Sequence, residues 1–76
     1  MQSQFTQSEL QQLKAILSRK IQNLEYHAEQ SKNNAQHYKS WGDNENKDIY
    51  FYGMRVCRNK AKKLAKLQKK VKNLIS

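Results

Sequence analysis

The chain has 76 residues, a formal net charge of +9, one cysteine and no proline. That length holds one domain and buries only a modest share of the unfolded surface. A single cysteine excludes an internal disulfide, and the longest apolar or aromatic run, Ile49-Tyr50-Phe51-Tyr52, is far too short to span a membrane.

The charge is unevenly placed. Up to Asn46, Lys14, Arg19, Lys20, Lys32 and Lys39 are balanced by Glu9, Glu25, Glu29, Asp43 and Glu45. From Lys47 onward, ten basic residues face Asp48 alone, so the whole net charge lies there. Such a polarised field attracts polyanions or acidic protein surfaces. The start has no basic-then-apolar leader, and together with the lone cysteine this gives the expectation of a cytoplasmic protein or one of another intracellular compartment.

Met1–Gln4 is polar and expected to fray. The first organised segment is Phe5-Thr6-Gln7-Ser8-Glu9-Leu10. Thr6 and Glu9 have the spacing of a capping box, and Phe5 and Leu10 that of a hydrophobic staple, both in one register. A first helix is therefore expected over about 6–40. Leu10, Leu13, Leu17, Ile21, Leu24, Ala28, Ser31, Ala35 and Tyr38 recur along it at spacings of three and four, as in a coiled coil.

Gly42 is the natural left-handed stop, and Asp43 can cap a new helix directly after it. The turn is expected over about 41–45 and a second helix over about 46–75. Its stripe is Ile49, Tyr50, Met54, Cys57, Ala61, Leu64, Leu67, Val71 and Leu74. Gly53 costs that helix about 1 kcal/mol relative to alanine and suggests either a close approach to another surface or, as the plain alternative, random drift.

A short connection implies antiparallel neighbours. Aligned about Gly42, the stripes set Leu10 by Leu74 or Ile75, Leu13 by Val71, Leu24 by Ala61 and Ala28 by Cys57. The expected fold is all-α: one long antiparallel two-helix hairpin domain over 1–76. Ile16, Val56, Phe51, Tyr52, Ala65 and Trp41 fall off this seam, which points to a homodimer closing a four-helix bundle.

Between Arg55 and Lys72 there are nine basic residues and no acidic one. On a helical wheel with Met54 at zero, Arg55, Arg58, Lys62, Lys63, Lys66, Lys69 and Lys70 occupy roughly 40 to 180 degrees, opposite the apolar arc. The functional expectation is contact with DNA or RNA phosphates, with weak sequence readout. The plain alternative is a solubilising surface. A basic amphipathic helix can also lie on an anionic membrane, but a partner stripe in the first helix argues against that.

Trp41, Tyr50, Phe51 and Tyr52 form a candidate interaction tip, which with the basic rail gives the second functional expectation: an inhibitor or adaptor docking on an acidic protein, a make-up that also suits mobile genetic elements. Their plain alternative is a small end core. His27 and His37 lack ligand spacing, Cys57 is expected as a small buried residue, and Glu25 and Glu29 read as solvated carboxylates beside Lys20 and Lys32. No nucleophile elbow or phosphate loop is present. Neither enzyme activity, nor a cofactor, metal or small-molecule substrate is therefore expected.

Overall fold

The computed structural model describes residues 5–75, and the expected fraying of Met1–Gln4 lies outside them. Two helices, α1 (Gln7–Ser40) and α2 (Asn44–Leu74), run antiparallel as a hairpin. Its extents of 56 × 18 × 13 Å are those of one layer of two helices.

The ends of the helices are built as the sequence specifies. Thr6 accepts the Glu9 N–H at 3.1 Å, and the Glu9 carboxylate accepts the Thr6 N–H at 3.0 Å, completing the capping box. Leu10 is fully buried, while its staple partner Phe5 stays half exposed. At the other end of α1, the Gly42 N–H donates to the Lys39 carbonyl and the Asp43 N–H to the Tyr38 carbonyl. These are the two bonds of a Schellman motif, which needs a left-handed residue at Gly42, where φ is +76°. Asp43 then caps α2 by accepting the Asn46 N–H and side-chain amide. Using Asp43 at once starts α2 at Asn44, two residues before the expected position.

Both capping carboxyls titrate low. The Thr6 N–H, and after it the Thr6 hydroxyl, hold Glu9 below the ordinary carboxylate range. The Asn46 side-chain amide, and then its N–H, do the same for Asp43. A carboxyl whose pKa is lower in the folded chain contributes stability that is present above its unfolded pKa and lost as pH falls through the folded one. The melting temperature should therefore hold from pH 7 to about 5 and drop below about pH 4. Glu9→Gln should flatten that drop in a thermal-melt series followed by circular dichroism.

The seam follows the expected register. Leu10, Leu17 and Val71 form the buried cluster, flanked by Leu13, Leu64 and Ile75, and Ala28, Ala35 and Ala61 close the rest of the interface. Small residues there let the helices approach closely. Two polar contacts fix the axial level: the Gln7 side chain donates to the Leu74 carbonyl at 3.2 Å, and the Gln68 side chain donates to the Lys14 carbonyl and to the Ser18 hydroxyl.

The structure corrects three expectations. Ile49, Leu67 and Leu74, assigned to the seam, are 58%, 46% and 50% exposed. The wheel explains why: they lie at roughly 200 to 220 degrees, together with Val56, well around from Leu64, Cys57 and Ala61. One helix partner covers a narrower arc than α2 offers. Cys57, expected buried, is only partly so. Gly53 is not a close approach either, since an added Cβ would meet only the Ser31 Oγ, at an ordinary 3.8 Å. Gly53→Ala should therefore stabilise the fold by about 1 kcal/mol in urea unfolding, through helix propensity alone.

Candidate binding faces of the hairpin

A single layer of two helices has two broad faces, and each carries a groove lined by cations and apolar side chains. On one, Glu25 of α1 lines an open groove with Arg58, Ala61, Lys62 and Ala65 of α2. On the other, Lys20, Asn23, Leu24 and His27 line a groove of about 470 Å³ with Lys60, Lys63 and Leu64. We refer to these as the basic face and the apolar face.

The basic face is built by α2. Arg58, Lys69, Lys62, Arg55 and Lys66 fall within roughly 40 to 120 degrees on the wheel, and all five are exposed. From Arg55 to Lys69 they run about 21 Å along the helix axis. Among the described residues the ion pair is Lys47–Asp48, at 3.7 Å, so none of these five is neutralised by a carboxylate. Glu25 is the acidic residue nearest to them in the groove, and it stays outside ion-pair distance. Lys32, whose side chain is half buried, and Lys14 project from α1 toward this side by helical phase, a contribution that charge counting along α2 had passed over.

One member of the expected cationic set lines the other groove: Lys63, beside Lys60 and Lys20. Arg58 and Lys62 border the groove with Glu25. By helical phase Arg55, Lys66 and Lys69 continue their sector around the outer edge of α2, and Lys70 follows at roughly 160 degrees.

The apolar face carries a stripe that the seam covers only in part. Ile49, Leu67 and Leu74 are exposed and Val56 is half-buried, and all four share nearly one phase of α2, interrupted by Lys60 and Lys63. From α1, Ile16 joins them at 56% exposure. The sequence signal was available in the spacing of seven between Ile49 and Val56 and again between Leu67 and Leu74. It was hidden because the same residues also fit a single wide stripe.

The aromatic residues near the turn divide likewise. Tyr50 stacks on Tyr38 at 5.4 Å between ring centroids, and Trp41 packs edge-on against Tyr38 at 5.5 Å. Trp41 is nonetheless 71% exposed. Tyr52 is exposed and by helical phase faces away from Tyr50, and Phe51 is partly buried. His37 packs on Trp41 and His27 on Tyr26. Among the described residues no His, Cys, Asp or Glu group is arranged to hold a metal ion, and no helix is long and apolar enough to cross a membrane.

Comparison with known proteins adds no further constraint: the chain matches no protein-family model, no curated protein and no solved structure.

Proposed function

We propose that this is a small nucleic-acid-binding protein that contacts phosphates through α2, reads sequence weakly, and works as a homodimer inside the cell. The observation that carries this reading is the grouping of Arg55, Arg58, Lys62, Lys66 and Lys69 on one exposed sector of a 31-residue helix, with no acidic side chain in ion-pair contact. Unpaired cations in a row suit the regular charge of a nucleic-acid backbone, where each contact releases a counterion. Lysine is a point charge and positions without discriminating bases; only Arg55 and Arg58 carry the forked geometry suited to base edges.

The test is fluorescence anisotropy with duplexes of unrelated sequence at several salt concentrations, for the natural chain and for Lys62→Glu/Lys66→Glu. Similar affinity across sequences and a steep salt slope support the reading. A flat salt response or no binding sinks it, and would favour an acidic protein partner instead. The exposure of Trp41 and Tyr52 gives that second reading its anchor residues.

A further inference from the structure

A nucleic acid can meet the hairpin on either broad face or on the outer edge of α2, and the three approaches set different groups against phosphate. The face with Arg58 and Lys62 also presents Glu25 of α1 in the same groove. The other face presents Ile16, Ile49, Leu67 and Leu74, each about half exposed, among its lysines. Both faces bring up α1, whose five basic residues are offset by Glu9, Glu25 and Glu29. From Arg55 to Lys70 the outer edge of α2 holds only cations and the Asn59 amide.

That edge has the profile of a ridge. With Met54 at zero, α1 packs near roughly 300 degrees, where Leu64, Cys57 and Ala61 lie, so the crest of the ridge is at roughly 120. Arg55, Asn59 and Lys66 stand on the crest, at roughly 100 to 140 degrees. Arg58, Lys62 and Lys69 descend one flank, at roughly 40 to 80, and Lys70 the other, with Lys63 at its margin. All eight are exposed. A helix with its side chains is about 10–12 Å across, and the major groove of B-form DNA is about 12 Å wide and 8.5 Å deep. A ridge of that width enters the groove with one flank toward each strand, so cations on both flanks reach phosphates on both walls. The minor groove, about 6 Å wide, is too narrow for it, and the major groove of an RNA duplex is deep and narrow.

Two acids mark where contact ends. Asp48 and Glu45 are exposed on the same edge, about 10 and 15 Å before Arg55, and would repel phosphate there. The cationic stretch between Arg55 and Lys70 is thus about 22 Å long. A straight helix follows a winding groove for only part of one duplex turn of about 34 Å, and this stretch is of that length. We propose that the outer edge of α2 enters the major groove of B-form DNA between Arg55 and Lys70. Arg58, Lys62 and Lys69 then hold phosphates of one strand and Lys70 those of the other, while α1 stays behind, out of contact. Arg55 and Asn59, the two crest side chains with paired hydrogen-bonding atoms, face the base edges, which suits a weak sequence readout.

The proposal rests on the nucleic-acid reading and adds the duplex form and the groove, and the experiment keeps the two levels apart. Fluorescence anisotropy is measured on one duplex sequence prepared as DNA, as RNA, as DNA whose glucosylated hydroxymethylcytosines fill the major groove, and as DNA with netropsin in the minor groove. The RNA and the glucosylated DNA should bind more weakly than plain DNA by on the order of tenfold, and netropsin should change affinity by less than about twofold. Lys69→Ala and Lys70→Ala should each lower the salt slope on plain DNA by about 1, and Lys60→Ala, in the groove of the apolar face, should leave it unchanged. Equal affinity for plain DNA, glucosylated DNA and RNA overturns the groove assignment and leaves the nucleic-acid reading standing. A larger loss from netropsin than from glucosylation does the same. A slope lowered by Lys69→Ala but not by Lys70→Ala overturns contact with both strands. No binding to any form at low salt overturns the nucleic-acid reading, and this proposal with it.

Discussion

Reversing Lys62 and Lys66 to glutamate is expected to abolish most nucleic-acid affinity while leaving the fold intact. Both side chains are exposed and neither makes an ion pair, so the helix loses no internal partner. The effect on binding is large because it works through counterion release. Five phosphate contacts give a slope of log affinity against log salt of about −4.5, which corresponds to a loss on the order of 500-fold between 50 and 200 mM salt. Removing two contacts should reduce the slope by about 2, and the two new carboxylates add repulsion on top of the lost attraction. At 100 mM salt the loss should exceed tenfold and should be nearly the same for every duplex tested, since lysines on a phosphate backbone carry no sequence information. The same reversal at Lys60 and Lys63 is a useful contrast. These two line the groove of the other face, so their reversal should cost less than that of Lys62 and Lys66. Equal losses from both pairs would mean that the field of the whole chain binds, with no preferred face.

That contrast depends on a distinction the sequence did not draw. The ends of both helices were legible, because a capping box, a left-handed glycine and a capping aspartate act over three or four residues and need no tertiary context. The seam register was legible too, because Leu10, Leu17 and Val71 sit where large residues of one stripe meet the other. Which apolar residues the seam would cover was not. Leu67 and Leu74 fit a spacing of three or four as well as Leu64 or Ala61 do, and only the position of α1 decides between them. An α-helix drifts by about 20 degrees per heptad against a strict seven-residue repeat, so residues counted into one stripe end on different sides of a long helix. The same geometry moved Lys63 out of the basic set. At one edge of a 140-degree arc, its placement was decided by where α1 lies, which leaves it in the groove with Lys20 and Lys60.

Replacing Leu10 by alanine should have the largest effect on stability of any single change. Among the described residues Leu10 is the one large side chain that is completely buried, and the other buried residues of its cluster are Leu17 and Val71. A buried leucine cut to alanine costs about 2–5 kcal/mol, through lost transfer energy and the cavity left behind. A chain of this size has a total stability of about 4–11 kcal/mol. A loss of about 3 kcal/mol lowers the melting temperature by about 12–24 °C in a domain of 60–100 residues. Ile16→Ala is the informative partner to this change. Ile16 removes as much aliphatic surface, but it stands 56% exposed, so in dilute solution its truncation should shift stability by less than about 0.5 kcal/mol. If the homodimer of the proposed function covers Ile16, that silence is lost as protein concentration rises, because dimerisation stabilises the natural chain and not the variant. Thermal melts at about 5 and 500 µM therefore separate two kinds of burial: the Leu10→Ala deficit persists at both concentrations, whereas the Ile16→Ala deficit emerges only at the higher one. An Ile16→Ala deficit already present at 5 µM would place Ile16 in the core of the single hairpin, against its exposure.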